Sequence, residues 1–346
     1  MSLLSSRSCF ASARKAAALF FAIAVTLSAQ QPYHVVDQWK IGGDGFWDYL
    51  TAEPAAHRLY ITRGTHVDVL DTQTGKPIGT VTDLKAIHGV ALDNAGKFGY
   101  ISDGGANAVV IFDRATFATV DTIPVGQGPD AILFEPSTQT VWAFNGHSKD
   151  VSVISAAERK VIATISLPGR PEFPAADGKG LVYDNIEDKN EIVRLDAHTN
   201  KLTAEWPTTG CDGPSGLTID IAGFRLFAAC GGNKMAVLDT NTGKVLANPA
   251  ICSGPDAAGW DATHKLAFAS CGDGTLSVIN AAARAYPTVQ TLPTKRGART
   301  MAYDSATDRI YLVTADMGPR PPPTPDTPRP RAPILPNTFT VLVVAH

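Results

Sequence analysis

Six segments of the chain share one sequence outline and recur about every 42 residues. Residues 69–76 read Val-Leu-Asp-Thr-Gln-Thr-Gly-Lys, and residues 237–244 repeat this segment with Asn in place of Gln. Weaker copies end at Asp113, Ser155, Asp196 and Asn280, so consecutive copies are 41 to 43 residues apart. A fixed period of this length, built from short strands, is typical of the blades of a β-propeller.

Each repeat contains four short runs rich in Val, Ile and aromatic residues, separated by polar turn residues. This pattern predicts four antiparallel strands per blade, named A to D in chain order. In the third repeat the strands fall at residues 128–135, 140–145, 150–155 and 160–165. Strand-A segments begin near residues 47, 87, 129, 171, 214, 255 and 298. We therefore predict an all-β fold, a seven-bladed β-propeller.

The seventh repeat lacks a fourth strand. Its strands A, B and C are predicted at residues 299–303, 309–314 and 338–344. Residues 33–41 form an extra apolar strand before the first repeat. We expect this N-terminal strand to complete the last blade and close the ring, because closure removes exposed sheet edges.

The turn between strands C and D has a recognisable chemistry in two repeats. Asp71 and Asp239 can accept hydrogen bonds from amides two residues later, and Gly75 and Gly243 follow where a positive φ is needed. The weaker copies place other residues at the glycine position, so we expect looser turns or turns of another type there. These residues are Phe117, Arg159, Asn200 and Arg284.

Residues 1–29 have the features of a secretory signal peptide. Arg7, Arg14 and Lys15 precede an apolar run at residues 16–27, which is followed by small residues. We expect a single exported propeller domain over residues 30–346, periplasmic or secreted, with no membrane span after cleavage. Loss of residues 1–29 takes the formal net charge from −3 to −6. An acidic protein is a poor nucleic-acid binder, so we do not expect nucleic acid as a partner.

A proline-rich segment at residues 319–336 interrupts the repeat between strands B and C of the last blade. It contains nine of the 24 prolines, which cannot donate backbone hydrogen bonds in a sheet. The segment is interpreted as a loop insertion. A solvated surface loop, a lid over the channel mouth and a partner-binding arm are the alternatives.

Four cysteines follow the signal peptide, in two pairs that occupy equivalent positions of consecutive repeats. Cys211 and Cys230 are 19 residues apart, as are Cys252 and Cys271. Since strands A and B are antiparallel neighbours, each pair can form a disulfide within its blade, as expected of an exported protein. A four-thiolate metal site is the alternative.

The repeat resembles the YVTN β-propeller repeat, which is found in YncE-like and surface-layer-associated proteins. The resemblance rests on the segments at residues 69–76 and 237–244 with the preceding strand pattern, and it covers residues 33–346. It implies a seven-bladed exported propeller of a family in which most members have no assigned reaction and some bind DNA. The shape is also similar to that of lactonases, virginiamycin B lyase and electron-transfer propellers.

Propeller ligands bind at the mouth of the central channel. The residue that follows the start of strand A points toward this mouth, which predicts a ring with one residue from each blade. The ring consists of Asp48, His88, Asp130, Glu172, Ser215, Asp256 and Arg299. Four carboxylates with one imidazole suit Ca²⁺ or Mg²⁺, whereas a water-filled polar rim is the alternative.

Additional residues are expected beside this ring. Trp47 and Phe46 add an aromatic wall, and the B–C loops contribute Asn145 and further polar residues, namely Arg63, Asp103, His147, Asn185 and Thr314. The predicted ligand-binding set is Trp47, Asp48, His88, Asp130, Asn145, Glu172, Asp256 and Arg299. The remaining histidines, including His264 and His346, are interpreted as scattered surface residues.

Two functions are consistent with this sequence. The first is a monomeric binding or scaffold propeller without enzymatic activity, which holds a small molecule or a protein at the channel mouth. The second is a metal-dependent lactonase or lyase that uses His88 as a general base. Its bound ion, Ca²⁺ or Mg²⁺, would be held by Asp48, Asp130, Glu172 and Asp256.

Overall fold

The computed structural model describes residues 31–324, 327–328, 330 and 332–346. The signal peptide predicted for residues 1–29 lies outside the described residues. In the described part of the chain, 28 strands form seven four-stranded antiparallel sheets. Two short 3-10 helices, Pro54–Ala56 and Glu187–Lys189, occupy turns.

Each sheet is one blade, and its strands run outward from A to D. Blade 1 contains β2 (Leu50–Glu53), β3 (Arg58–Thr62), β4 (Val67–Asp71) and β5 (Pro77–Val81). Blade 2 contains β6 (Ile87–Leu92), β7 (Phe98–Asp103), β8 (Ala108–Asp113) and β9 (Thr119–Pro124). Blade 3 contains β10 (Pro129–Glu135), β11 (Thr140–Asn145), β12 (Asp150–Ser155) and β13 (Lys160–Ser166).

Blades 4 to 6 repeat this arrangement, and blade 7 contains the first strand of the chain. Blade 4 contains β14 (Pro171–Ala176), β15 (Leu181–Ile186), β16 (Glu191–Asp196) and β17 (Lys201–Pro207); blade 5 contains β18 (Pro214–Asp220), β19 (Arg225–Cys230), β20 (Lys234–Asp239) and β21 (Val245–Ala247); blade 6 contains β22 (Pro255–Asp261), β23 (Leu266–Cys271), β24 (Thr275–Asn280) and β25 (Thr288–Pro293); blade 7 contains β26 (Met301–Asp304), β27 (Arg309–Thr314), β28 (Thr340–Ala345) and β1 (His34–Lys40).

The innermost strands form a closed ring, since β2 contacts β6 on one side and β26 on the other. The ring closes within blade 7, where β1 pairs with β28 from His34 opposite Ala345 to Lys40 opposite Thr340. Both predictions, the seven-bladed all-β fold and its closure by the N-terminal strand, are confirmed. Closure by a strand from the other end of the chain leaves no blade with three strands.

The core lies between neighbouring blades and is supplied mainly by strands B and C. Along β11, Trp142 and Phe144 pack toward blade 4, whereas Val141 and Ala143 pack toward blade 2. All four side chains are fully buried. Side chains of a strand alternate between its two faces, so a strand buried on both faces needs an uninterrupted apolar run.

The C–D turns have a more uniform backbone than we expected. Phe117, Arg159 and Asn200 adopt φ values of 60°, 51° and 54°, close to the 68° of Gly75. A common hydrogen bond explains this, because the amides of Gly75, Phe117 and Arg159 each bond the carbonyl four residues earlier at 2.8 Å. The prediction of another turn type is wrong for these three positions. It holds in blade 6, where Arg284 has no positive φ and the turn is two residues longer. There the Asn280 amide donates to the Pro287 carbonyl, seven residues later, whereas the Asp71 amide donates to the Lys76 carbonyl, five residues later.

Two disulfides lie within blades 5 and 6, as predicted. Cys211 is joined to Cys230 with Cα atoms 5.5 Å apart, and Cys252 is joined to Cys271 with Cα atoms 5.8 Å apart. Each links the loop before strand A to the end of strand B, and all four side chains are buried. The four-thiolate metal site is therefore excluded.

The long connection between β27 and β28 carries the proline-rich segment and folds back at its base. Met317 and Ile334 form an isolated antiparallel bridge. The Gly318 amide donates to the Pro333 carbonyl and the Leu335 amide to the Asp316 carbonyl, both at 2.8 Å. Among the described residues, no helix is long and apolar enough to span a membrane.

His264 is partly exposed and His346 is exposed, as expected of surface residues, but the two are not scattered, because both lie beside Asp308. His264 Nδ1 lies 3.5 Å and His346 Nε2 lies 3.2 Å from Oδ2 of Asp308. Their rings are nearly perpendicular, with centroids 5.0 Å apart. The fold brings them together where blades 6 and 7 meet.

Candidate functional site

One cavity of about 520 Å³ opens at the channel mouth, and residues from all seven blades line it. In blades 2 to 6 the lining residue is the second residue of strand A, and in blades 1 and 7 it lies two residues before the start of that strand. The sequence alignment of the repeats therefore selected residues that face one space. They are Asp48, His88, Asp130, Glu172, Ser215, Asp256 and Arg299.

Hydrogen bonds between neighbouring blades hold the backbone of this ring. A polar residue at or next to the end of strand B donates its side chain to the carbonyl of the ring residue in the next blade. Thr62 Oγ1 donates to the His88 carbonyl at 2.7 Å, and Asn185 Nδ2 donates to the Ser215 carbonyl at 2.7 Å. Ser102 and Ser270 donate in the same way to Asp130 and Arg299. Because each donor belongs to a strand, these bonds hold the backbone from which the ring side chains start.

Opposite charges pair around the rim. His88 Nδ1 lies 2.7 Å from Asp48 Oδ2 and 3.5 Å from Asp130 Oδ1. On the other side, Arg299 Nε lies 3.4 Å from Asp256 Oδ2. Ser215 contributes no free hydroxyl, since its Oγ donates to the Pro255 carbonyl at 3.0 Å.

Tyr49 reaches across the channel, which the sequence did not indicate. Its hydroxyl donates to the Glu172 carbonyl at 3.2 Å, although the two residues belong to blades 1 and 4. Its ring packs edge-on against Phe173 with centroids 5.2 Å apart. Tyr49 and Phe46 give the cavity an aromatic wall.

Two further charged residues of the cavity were missed because they lie in loops outside the repeat pattern. Arg170 precedes β14, Glu187 follows β15, and the two form an ion pair. Their position one residue outside the strands could have indicated them, because loops at strand ends carry functional residues.

Several residues expected at the mouth lie elsewhere. Trp47 is buried against Phe339 and lines a neighbouring cavity of about 750 Å³ beneath the proline-rich loop. Asn145 is buried, and its Nδ2 donates to Asp150 Oδ1 at 2.6 Å and to Ser152 Oγ at 3.0 Å. Arg63 forms an ion pair with Asp68 Oδ2 at 3.0 Å, and its guanidinium group stacks on the ring of Phe339. Asp103, His147, Asn185 and Thr314 do not line the mouth cavity either.

Three carboxyl groups of the mouth, those of Asp130, Glu172 and Asp256, have raised pKa values and so resist ionisation. Burial, followed by the charge of Asp130, raises the pKa of Glu172 to about 8. Burial is also the main reason that the pKa values of Asp130 and Asp256 are raised to about 6. For His88, burial lowers the pKa, but the hydrogen bond with Asp48 and the charges of Asp130 and Glu172 outweigh it and raise the pKa above 6.5. Such clustering of shifted groups in a cavity is typical of functional sites.

These shifts predict that the free energy of unfolding falls as the pH rises from about 4 to about 8. In that range the folded protein retains protons on Asp130, Asp256 and Glu172 that the unfolded chain has already released. Because the folded state binds these protons more tightly, it is stabilised at low pH and loses this stabilisation as the pH rises. His88, whose folded pKa is also raised, contributes with the same sign. Urea unfolding at pH 5, 6, 7 and 8 measures the effect.

The substitution Glu172→Gln should flatten the decline between pH 6 and pH 8, because it removes the group with the highest of these pKa values. Glu158→Gln is the matched control, since the Glu158 side chain is 56% exposed and pairs with Lys160. A free energy of unfolding that is constant or increases between pH 5 and pH 8 would contradict the assignment.

Comparison with known proteins supports the architecture without assigning a function. No model of a protein family matches the sequence, and no curated protein matches it. Among solved structures, 1772 chains match, so the architecture is widespread. One is the Kuenenia stuttgartiensis hydrazine synthase, which is similar to this chain with a TM-score of 0.68 and 14% identity over 76% of this chain and 91% of that chain. At this identity the similarity shows the β-propeller fold alone.

Proposed function

We propose that this chain is an exported binding propeller of the YVTN, YncE-like type that holds a small organic cation at its channel mouth. The observation that carries the proposal is the surplus of carboxylates in one cavity. Five acidic residues line it, namely Asp48, Asp130, Glu172, Glu187 and Asp256, against three basic residues, His88, Arg170 and Arg299.

The unmatched charge is located on one side of the cavity. Asp48, Asp256 and Glu187 each pair closely with a basic residue. Asp130 lies 3.5 Å from an imidazole already bonded to Asp48. Over the described ranges, Glu172 has no ion-pair partner within 4.0 Å. A ligand ammonium group placed between Asp130 and Glu172 would be attracted by both carboxylates and offset part of their charge, so this is the expected binding position.

The size and walls of the cavity favour a small molecule over a macromolecular partner. A volume of about 520 Å³ falls within the roughly 300–1,000 Å³ typical of small-molecule sites. Tyr49 and Phe46 line the cavity, and contacts between a cation and an aromatic ring contribute about 0.5–2 kcal/mol. The acidic rim would repel the phosphates of a nucleic acid.

The signal peptide and the two disulfides support export to the periplasm or the medium. Disulfides persist in oxidising compartments. Both bridges are buried, which protects them from reductants. The signal peptide remains a sequence-based proposal.

Isothermal titration calorimetry with putrescine and choline tests this function, with MgCl2, CaCl2 and NaCl compared at equal ionic strength. We expect one saturable site for an organic amine. Glu172→Gln should weaken binding about tenfold or more, since a hydrogen bond to a charged group contributes about 1.5–3 kcal/mol. Affinity should increase from pH 6 to pH 8, because the bound cation favours ionised Glu172 and displaces its proton.

Glu158→Gln is the matched control and should bind like the parent protein, because its exposed carboxylate lies outside the cavity. Titration in two buffers of different ionisation enthalpy measures the released proton. The proposal fails if amines bind no better than Na⁺, or if Glu172→Gln binds as tightly as the parent.

A metal-assisted hydrolase or lyase is the second candidate, and a different observation favours it. Asp48, His88 and Asp130 each offer a ligand atom, and these atoms lie within 4.8 Å of one another. Ca²⁺ or Mg²⁺ bound there would polarise a substrate carbonyl, while Glu172 and Asp256 complete the acidic surroundings. A melting temperature that rises with MgCl2 or CaCl2 but not with NaCl, and no longer rises in Asp130→Asn/Asp256→Asn, would favour this candidate.

A further inference from the structure

A second group of polar side chains lies on the face of the propeller opposite the mouth. We call it the seam cluster: His264, Asp308, His346 and Asp261, with Tyr33 and Tyr303 beside them. His264 lies in the turn between β22 and β23, and Asp308 lies in the turn between β26 and β27. His346 follows β28, and Tyr33 precedes β1. The cluster therefore lies where blade 6 meets blade 7 and the closing strand.

The three central side chains are spaced as metal ligands. Oδ2 of Asp308 lies 3.5 Å from His264 Nδ1 and 3.2 Å from His346 Nε2. All three ligand atoms lie within 4.8 Å of one another. Zinc binds imidazole nitrogens and carboxylate oxygens at about 2.0–2.2 Å, which gives tetrahedral ligand separations of about 3.3–3.6 Å.

Hydrogen bonds aim the Asp308 carboxylate at the histidines. Its Oδ1 accepts from the hydroxyls of Tyr303 at 3.0 Å and Tyr33 at 3.2 Å. The second carboxylate oxygen, Oδ2, therefore faces the two imidazoles. Outer hydrogen bonds of this kind orient ligands and are a regular feature of metal sites.

We propose that His264, Asp308 and His346 bind a divalent metal ion of the zinc type. Asp261 is fully buried, and its Oδ2 lies 2.5 Å from His264 Nδ1. Its carboxylate therefore adds negative charge beside the site. Water completes the tetrahedral coordination of an ion that the protein holds by three ligands.

The types of ligand atom distinguish the metal preference of this site from that of the mouth cavity. Two imidazoles and one carboxylate favour Zn²⁺, Co²⁺ or Ni²⁺ over Ca²⁺ and Mg²⁺, which prefer oxygen ligands. An ion in the seam cluster would link the turn of blade 6 to the end of β28. It would thus link segments near the point where β1 pairs with β28 and closes the ring. Because the ion binds the folded state, it would stabilise that state by mass action.

Tag-free protein, treated with EDTA and then dialysed, is titrated with ZnCl2 by calorimetry and with CoCl2 by visible absorption. We expect one equivalent to bind, tetrahedral Co²⁺ bands to appear between about 550 and 700 nm, and the melting temperature to rise with the logarithm of free metal. His264→Gln and His346→Gln should each weaken binding at least tenfold. MgCl2 at equal ionic strength should not reproduce the rise.

Two controls assign the binding to the seam cluster. His198→Gln changes an exposed histidine in the turn after β16, and Asp130→Asn changes the mouth; both should bind Zn²⁺ as the parent does. Asp308→Asn gives a second test if either histidine variant folds poorly by circular dichroism. The proposal is overturned if Zn²⁺ and Co²⁺ do not bind at stoichiometric concentration. It is equally overturned if binding survives in both histidine variants or is lost only in Asp130→Asn.

Discussion

Deletion of β1 is expected to lower the melting temperature by about 5–10 °C. The strand supplies the fourth strand of blade 7, and its removal exposes the edge of β28 along six paired positions. It also removes the apolar contacts of Val35 and Trp39, with Tyr33 close by. At about 1.5–3 kcal/mol per buried side chain the loss is about 5 kcal/mol. An unfolding entropy of about 2.1 cal/mol/K per residue gives about 1.5 °C per kcal/mol for a domain that spans Pro32–His346.

Differential scanning calorimetry measures this effect, and two point variants show how much single side chains of β1 contribute to the melting temperature. Trp39→Ala removes the packing of the indole on Tyr311, where ring centroids are 5.5 Å apart, and should lower the melting temperature by several degrees. Val36→Thr is the control, because Val36 is 45% exposed and should change little. A deletion variant that melts within about 2 °C of the parent would refute the role of β1 in ring closure.

Removal of the two disulfides is the second large effect. Each bridge closes a loop of about 20 residues, for which the chain-entropy model gives about 3 kcal/mol. Cys211→Ala/Cys230→Ala should lose about 3 kcal/mol of unfolding free energy, and the variant without both bridges about 6 kcal/mol. Urea unfolding with free energies extrapolated to water provides the measurement.

Reduced parent protein serves as the control for the alanine variants. Reduction breaks the covalent link but keeps the sulfur atoms, so it separates the loss of the cross-link from the loss of side-chain volume in the core. Parent and quadruple variant should converge under reducing conditions, apart from the cavity left by each substitution. If neither reduction nor substitution lowers the urea midpoint, the bridges contribute no stability to the fold.

The period of the sequence determined the architecture, because each repeat forms one blade from local contacts. Strands within a blade are joined by short turns, so their order follows the chain. The same regularity placed Asp48, His88, Asp130, Glu172 and Asp256 at one mouth, since equivalent residues of symmetric blades occupy equivalent positions. It also paired Cys211 with Cys230, because both lie at the same end of neighbouring strands.

Contacts between blades could not be obtained from the repeat, because they depend on how the ring brings distant segments together. Tyr49 meets Glu172 across the channel although 123 residues separate them. Side chains predicted to face the mouth can also point elsewhere. The Asn145 side chain points into its own blade, where it donates to Asp150 and Ser152, and it does not line the mouth cavity.

The sequence by itself thus determined the fold, the closing strand, the disulfides and the identity of the ring residues, all of which follow from local periodicity. Only the tertiary structure decided how strongly the ring carboxyls hold their protons, because burial and the charges of other blades set their pKa values. It also decided that His264, Asp308 and His346 converge, because ring closure joins segments that no repeat relates to one another.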